Sequence, residues 1–178
     1  AVFPLQRLGH DVYPVLTVTF SNHTGYGATR GPLIAPADVA EVLLGVEERG
    51  AFPEVDAVLS GYLGAETMGA VVLDAVARVK VANPGAIYCC DPVMGDVGRG
   101  FFVRDGIPDY LRDEVVPRAD ILTPNQFELE FLAGQQIRAR SELLACVDAV
   151  RDRGPATVLV TSVLTDDLAP GTIGMACV

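Results

Sequence analysis

The sequence predicts an α/β fold with a mainly parallel central sheet, and three observations lead to that prediction. Short apolar runs rich in Val and Ile recur along the chain, and segments with helical periodicity lie between them. The runs do not alternate apolar with polar residues, which is typical of strands covered on both faces. Their ends recur at roughly the length of one strand–helix–strand unit. Together these observations predict a parallel sheet with helices on both sides.

The first predicted element differs from this repeating pattern. In residues 12–36, two apolar stretches flank a polar segment that contains several glycines. This arrangement predicts an antiparallel flap or edge element beside the main sheet. A length of 178 residues suits one domain, so residues 1–178 are predicted to form a single domain with residues 12–36 as its flap.

Three helices are predicted by apolar stripes at helical spacing. The first follows Pro36, because proline is tolerated at the start of a helix. The second ends at the Asn-Pro-Gly sequence of residues 83–85, and the third lies between Ser141 and Gly154. The apolar runs beside these helices are predicted to be strands at residues 55–59, 86–90, 119–122 and 157–160.

Composition and charge exclude several classes of protein. Half of the residues are apolar and 20% are charged, which argues against extended disorder. The 13 basic and 23 acidic residues give a net charge of −10, which argues against general binding to nucleic acids or anionic membranes. Apolar stretches are soon interrupted, and the start of the chain shows no secretory signal pattern. The four cysteines have no metal-ligand spacing and are predicted to be core thiols, so a cytoplasmic location is expected.

Polar or small residues follow each of the four predicted strands. In an open parallel sheet, ligands bind outside the carboxyl ends of the strands, so these residues are expected to share one edge of the sheet. Four such endings together favour a binding edge over an accidental pattern. The four endings are Ser60-Gly61-Tyr62, Asp91-Pro92, Thr123-Pro124-Asn125 and Thr161-Ser162.

Two pairs of residues near this edge allow two interpretations each. Asp91 and Asp96 lie on a short loop with Pro92 and Gly95, where they could bind a hard cation such as nucleotide-bound Mg²⁺, or satisfy nearby backbone N–H groups in a turn. Asn125 and Glu128 could form a helix-capping pair. Alternatively, Glu128 could reach the edge near Asp91 and help to hold Mg²⁺ or ordered water.

Other motifs are excluded or carry less weight. His23 lies among Ser, Asn and Gly residues, and that composition is typical of a polar turn. The chain contains no phosphate-binding P-loop motif. The glycines around Gly98 lack the strand–turn–helix setting of a dinucleotide-binding fingerprint.

Six motifs resemble, in order and spacing, those of pyridoxal kinases, which belong to the ribokinase-like vitamin kinase family. The Phe-Ser-Asn-His-Thr sequence of residues 20–24 is the most specific, whereas the Asp-Pro-Val and Thr-Pro-Asn sequences are shared more widely among these kinases. The similarity extends over nearly the whole chain. The motifs lie at residues 3–9, 18–26, 60–64, 90–96, 119–128 and 160–162.

The resemblance implies a three-layer α/β sandwich and transfer of the ATP γ-phosphate to the 5′-hydroxyl of pyridoxal, a vitamin B6 salvage reaction. It implies Mg²⁺, often K⁺ in this family, and a homodimer. The residues that would contact pyridoxal are Val18, Phe20, His23, Thr24 and Tyr62. Those that would surround ATP and its cations are Asp91, Asp96, Thr123, Asn125, Glu128, Thr161 and Ser162, with Asp91, Asp96 and Glu128 nearest the metal.

The chain departs from the family pattern in three places. The family's first strand would precede the first residue here, and the Gly-Thr-Gly-Asp element that supplies the catalytic base would follow the last. No catalytic residue is therefore assigned within residues 1–178, and these residues alone are expected to be inactive. Phe102 stands where some relatives have a lid tyrosine. Two alternatives stay open: a hydroxymethylpyrimidine kinase of the same fold, and a non-catalytic protein that binds vitamin B6 or a nucleotide.

Overall fold

The computed structural model describes residues 2–178, so Ala1, the first residue of the predicted domain, lies outside the described residues. The predicted helices are confirmed as α2 (Pro36–Glu48), α3 (Glu66–Ala82) and α6 (Arg140–Arg151), and the helical segment after Asn125 as α5 (Gln126–Ala133). A nearly continuous helical stretch from α4 through a π-helical turn, Leu111–Val115, and a 3₁₀ turn, Val116–Arg118, was not predicted. The α-helices are α1 (Val2–Arg7), α2 (Pro36–Glu48), α3 (Glu66–Ala82), α4 (Ile107–Tyr110), α5 (Gln126–Ala133) and α6 (Arg140–Arg151).

The central sheet has five strands in the order β1-β2-β5-β6-β7. The first four strands are parallel, which confirms the predicted architecture, and β7 pairs antiparallel with β6 at one edge. Strands β3 and β4 form a separate two-stranded hairpin. The strands are β1 (Ala57–Ser60), β2 (Ile87–Cys90), β3 (Gly95–Asp96), β4 (Gly100–Phe101), β5 (Ile121–Leu122), β6 (Thr157–Val163) and β7 (Gly174–Cys177).

One face of the sheet is packed against the helices. Tyr88, Cys90, Leu122 and Val158 are fully buried and belong to a single apolar cluster. The same cluster includes buried side chains from each helix between α2 and α6. Because an apolar residue on every helix from α2 to α6 contributes to this cluster, the burial of apolar surface is the main stabilisation of the fold.

The other face of the sheet is more accessible in the described residues. Leu59 in β1 is 50% exposed and Ile87 in β2 is 42% exposed, although both strands are mainly apolar. Ile121 and Leu159 on the same face are half-buried. The apolar pattern of the strands is that of a sheet covered on both faces. In residues 2–178, the helices pack against one of these faces. None of the helices in residues 2–178 is both long and apolar enough to cross a membrane.

The segment predicted as a flap pairs with itself in antiparallel fashion. Val18 and Leu33 form an isolated antiparallel bridge. Thr19 N donates to Pro32 O at 3.0 Å and Ile34 N to Thr17 O at 3.0 Å. Gly31 has φ +129°, and a side chain there would collide with the backbone of Thr19, so only glycine allows the two flap strands to approach this closely.

Candidate active site

Main-chain hydrogen bonds continue the parallel ladder beyond the ends of the strands. Asp91 N donates to Ser60 O, Thr123 N to Cys90 O, and Thr161 N to Pro124 O, each at 2.9 Å. These bonds place the four strand endings side by side, which confirms the predicted common edge. We call this edge the rim; it comprises residues 60–62, 91–92, 123–125 and 161–162.

Asp91 and Asp96 occupy different positions relative to the rim. Asp91 follows β2 directly and is partly buried, and burial raises the pKa of its carboxyl above the ordinary value. Asp96 lies in the β3–β4 hairpin, where its Oδ1 accepts a hydrogen bond from Val97 N at 2.8 Å. Asp96 therefore fits the interpretation in which it satisfies a backbone N–H group in a turn. Asp91, in contrast, places a carboxylate on the rim itself.

Asn125 and Glu128 form a capping box at the start of α5. Asn125 Oδ1 accepts from Glu128 N at 2.9 Å, and Glu128 Oε2 accepts from Asn125 N at 2.8 Å. Two further bonds join the box to the β3–β4 hairpin: Met94 N donates to Glu128 Oε1 at 3.0 Å, and Asn125 Nδ2 donates to Gly95 O at 2.8 Å. The capping interpretation is confirmed, and the same side chains fix the hairpin to the rim.

Glu128 is a buried carboxyl group, with only 3% of the residue exposed. Burial is the largest cause that raises its pKa to about 7, and the nearby charge of Asp91 raises it further, while hydrogen bonds from Asn125 N and Met94 N oppose the rise. Two carboxyl groups thus lie close enough to interact at the rim. Each carboxylate oxygen has two lone pairs, so Glu128 retains acceptor capacity beyond its backbone partners. Within residues 2–178, no group of three or more His, Cys, Asp or Glu side chains has the arrangement of a metal site.

The residues predicted to contact pyridoxal fall into two groups. The rings of Phe20 and Tyr62 lie with centroids 6.3 Å apart and planes inclined by 59°. Thr17 Oγ1 donates to Tyr62 O at 2.6 Å, which attaches the flap to the rim. Val18 lies on the same side, because a side chain added at Gly64 would come within 3.1 Å of it. The structure therefore brings Val18, Phe20 and Tyr62 together.

His23 and Thr24 lie at the tip of the flap. Thr24 begins a 3₁₀ turn, Thr24–Tyr26, and is half-buried. The ring of the exposed His23 makes an edge contact with Tyr26 at a centroid distance of 6.0 Å, and Tyr26 N donates to His23 O at 3.0 Å. The polar turn expected around His23 is present, and both residues are on the flap rather than on the rim.

Ser162 has an unusual backbone conformation that the sequence did not indicate. Its φ is +53°, the one left-handed value among the non-glycine residues from 2 to 178. It lies at an irregularity in the β6–β7 register between Val160 and Val163. Left-handed backbone is uncommon for a non-glycine residue and often marks a functional position. Thr161 pairs in parallel with Asn125, so both residues of the Thr-Ser sequence lie next to the capping box.

The β3–β4 hairpin is a second feature that sequence reasoning missed. The ring of Phe101 packs edge-on against Phe127 and Phe131 of α5, with centroid distances of 5.0 and 5.2 Å. The ring of Phe102 lies under the guanidinium of Arg99, whose Cζ is 5.2 Å from the ring centroid. Strands of two residues are too short to show a periodic pattern in the sequence. The aromatic residues in and after β4 were the one signal that this segment packs against another element.

Comparison with known proteins places these features in a family. The profile of the family described as phosphomethylpyrimidine kinase matches residues 34–169. A curated pyridoxal kinase PdxY of Leifsonia xyli subsp. xyli is 60% identical over 178 residues, which cover 100% of this chain and 63% of that protein. The PdxY protein of Rubrobacter xylanophilus is 59% identical over 167 residues, 94% of this chain and 58% of that protein.

Solved structures give the same result for the fold. Pyridoxal kinase from Leishmania donovani in complex with ADP and pyridoxamine superposes with a TM-score of 0.88 at 29% identity, over 94% of this chain and 60% of that one. Its complex with ADP and pyridoxine gives a TM-score of 0.87 over 93% and 57%. The chain thus spans less than two thirds of the length of these relatives. Because the family profile extends from the end of the flap to the loop after β6, the chain belongs to the phosphomethylpyrimidine kinase family.

Proposed function

We propose that this chain is the vitamin-binding and nucleotide-binding part of a pyridoxal kinase, which transfers the γ-phosphate of ATP to the 5′-hydroxyl of pyridoxal. One observation carries the proposal: the match to the Leifsonia xyli protein at 60% identity extends over all 178 residues. It therefore includes the Phe-Ser-Asn-His-Thr sequence at residues 20–24, which lies before residue 34, where the family profile begins. This sequence is the most specific of the motifs that resemble pyridoxal kinases, so the flap would distinguish a pyridoxal kinase from other members of the wider family.

The flap and the end of β1 supply the surface for the pyridoxal ring. Phe20 and Tyr62 present two inclined aromatic faces, and Val18 adds an aliphatic contact beside them. Aromatic faces of this kind favour a flat heteroaromatic ligand. Thr24 and His23 at the tip of the flap would provide polar contacts to the ring substituents if the tip closes over the ligand.

The remaining rim residues would bind ATP. Thr123, Asn125, Thr161 and Ser162 offer hydroxyl and amide groups along the ends of β5 and β6. Phosphoryl transfer depends on alignment and charge neutralisation, so a rim that holds the nucleotide rigidly next to the vitamin suits the reaction. The structures of relatives with ADP and a vitamin B6 compound bound support this pairing of ligands.

Asp91 and Glu128 would hold Mg²⁺, with K⁺ as a second cation; Asp96, the third carboxylate expected nearest the metal, accepts a hydrogen bond from Val97 N and does not form a three-carboxylate cluster with them. The fit rests on chemistry: Asp91 and Glu128 are neighbouring carboxyl groups with raised pKa values, so a divalent cation between them would favour their charged forms. When bound, Mg²⁺ neutralises phosphate charge. Because both oxygens of Glu128 already accept main-chain N–H groups, Glu128 would act through ordered water, and Asp91 offers the more accessible oxygen ligand.

Location and assembly are parts of the same proposal. All four cysteines are free thiols, which suits a reducing compartment such as the cytoplasm. Cys90 and Cys146 are buried as predicted, whereas Cys89 is half-buried and Cys177 is exposed, so the prediction that all four are core thiols was wrong for Cys177. We expect a homodimer by analogy with the family resemblance.

A chimera tests the proposal without depending on where this chain begins or ends. Residues 1–178 replace the matched residues of the Leifsonia xyli protein, and formation of pyridoxal 5′-phosphate is followed with Mg-ATP and K⁺. We expect pyridoxal to be phosphorylated with a higher kcat/KM than hydroxymethylpyrimidine. Hydroxymethylpyrimidine is the second candidate, because the sequence leaves a kinase of the same fold for this substrate open, and a reversed preference would establish it. Binding of pyridoxal without turnover by the chimera would favour the non-catalytic alternative.

A further inference from the structure

A small polar cluster is buried directly beneath the rim. The side chain of Tyr88, in the middle of β2, is fully buried, and its hydroxyl lies 2.8 Å from Ser60 Oγ at the end of β1. The thiol of Cys90 lies close enough to both hydroxyl groups to interact with them. The three side chains are surrounded by an otherwise apolar core that includes Leu122 and Val158. A phenylalanine would fill the position of Tyr88 without any hydrogen-bond requirement, so the hydroxyl group needs a separate explanation.

Each strand in this cluster continues into a different half of the proposed site. Ser60 leads through Gly61 to Tyr62 on the pyridoxal side, and Cys90 leads directly to Asp91 on the ATP side. The distance between the two halves is therefore set by how β1 and β2 are held at their ends. The Asp91 N to Ser60 O bond is the main-chain link at this point, and the cluster adds a side-chain link.

The segment after β1 is anchored by hydrogen bonds on both sides of Gly61. A side chain added at Gly61 would meet nothing within 4 Å, so the space beside this residue is open. On its other side, Tyr62 O accepts a hydrogen bond from Thr17 Oγ1. Hydrogen bonds before and after Gly61 thus hold the main chain that carries Tyr62.

We infer that Tyr88 is a positioning residue whose buried hydroxyl holds the end of β1 so that Tyr62 and Asp91 keep a fixed separation. This inference rests on the proposed function. Burial raises the pKa of Tyr88 and raises that of Cys90 to about 12, so both groups are neutral near pH 7. The contribution of the Tyr88 hydroxyl is geometric: without it, the segment around Gly61 gains freedom and the pyridoxal surface loses alignment with the rim.

The test is Tyr88→Phe in the chimera, which removes the hydroxyl and keeps the ring. The matched control is Tyr110→Phe, which removes a hydroxyl from a half-buried ring that packs against Gly69 of α3, away from the rim. Loss of one buried hydrogen bond corresponds to roughly a five-fold change in affinity. We expect the KM for pyridoxal to rise about five-fold, with the KM for ATP changed less than about two-fold. Tyr110→Phe should leave both KM values unchanged.

A second variant keeps the inference testable if Tyr88→Phe folds poorly. Ser60→Ala removes the other side of the same hydrogen bond and should raise the KM for pyridoxal to a similar extent. The KM for pyridoxal of the double variant, Tyr88→Phe with Ser60→Ala, should exceed that of either single variant by no more than about two-fold, because both substitutions break the same hydrogen bond. Equal increases in both KM values, unchanged kinetics, or fully additive effects would each overturn the positioning role. A wild-type chimera that does not bind pyridoxal would overturn the proposed function, and this inference with it.

Discussion

Glu128 combines two roles that have opposite requirements for its charge. As the second member of the capping box it accepts main-chain N–H groups, which favour the carboxylate. Its burial favours the neutral acid, and burial is the larger effect, because the pKa rises from 4.5 to about 7. Glu128 therefore links the hairpin to α5, and a cation bound nearby would lower its pKa and favour the carboxylate.

The raised pKa predicts how stability changes with pH. The folded protein binds the proton of Glu128 more tightly than the unfolded chain does, so this contribution is complete below pH 4.5 and is lost as the pH rises through about 7. The loss is on the order of 3 kcal/mol. Urea unfolding measures the free energy of unfolding of the wild type and of Glu128→Gln between about pH 5 and about pH 8. As the pH rises, this free energy should fall for the wild type relative to the variant. Parallel curves would contradict the assignment.

Asp91 is predicted to act on the nucleotide side. In the chimera, Asp91→Asn should raise the KM for Mg-ATP at least about ten-fold and leave pyridoxal binding nearly unchanged, because it removes a charged ligand next to the phosphates. The control is Asp148→Asn, which removes an exposed carboxylate on α6. Normal dependence on ATP combined with weak pyridoxal binding would move Asp91 to the other half of the site.

At the scale of elements, the β3–β4 hairpin and α5 behave as one unit. A side chain at Gly95 would collide with the ring of Phe127 and approach Gly100 O to 2.8 Å, and Gly95 O accepts from Asn125 Nδ2. The absence of a side chain at this position therefore allows the hairpin to lie on the helix.

Gly95→Ala should separate the hairpin from α5 and lower the free energy of unfolding by about 1–3 kcal/mol. Gly45→Ala is the matched control: Gly45 lies within α2, where a side chain would meet nothing within 4 Å, and alanine has the higher helix propensity. The control should be neutral or slightly stabilising. Thermal or urea unfolding measures both changes, and equal stabilities would show that the hairpin is not anchored in this way.

The elements that could be predicted are those with a clear period or a clear boundary. Apolar stripes and the Asn-Pro-Gly sequence defined α2, α3 and α6, and the capping pair defined the start of α5. The stretch from 107 to 118 was missed because Pro108, Pro117 and the π-helical turn disturb the helical period. In the site, the strand endings followed from topology. The Tyr88–Ser60 bond and the φ of Ser162 depend on tertiary contacts that no local pattern records.

At the scale of the whole molecule, the apolar face that contains Leu59 and Ile87 affects how residues 1–178 behave alone. We predict that the isolated 178-residue polypeptide forms no pyridoxal 5′-phosphate, binds a hydrophobic dye and tends to self-associate, because large exposed apolar patches promote association. The chimera should be active and should bind less dye. Comparable turnover by the isolated polypeptide would show that a catalytic base lies within residues 1–178.

The rim is assembled from main-chain atoms, and this has a consequence for how such proteins diverge. The bonds from Asp91, Thr123 and Thr161 to the preceding strands do not depend on which side chains occupy those positions. The flap, in contrast, meets the rim through side chains, including the Thr17 hydroxyl and the Phe20–Tyr62 ring pair. Under the proposed function, mutations in the flap can therefore change the aromatic compound that is bound while the nucleotide site stays in place, and descendants of one ancestral protein can acquire new substrates without rebuilding the sheet.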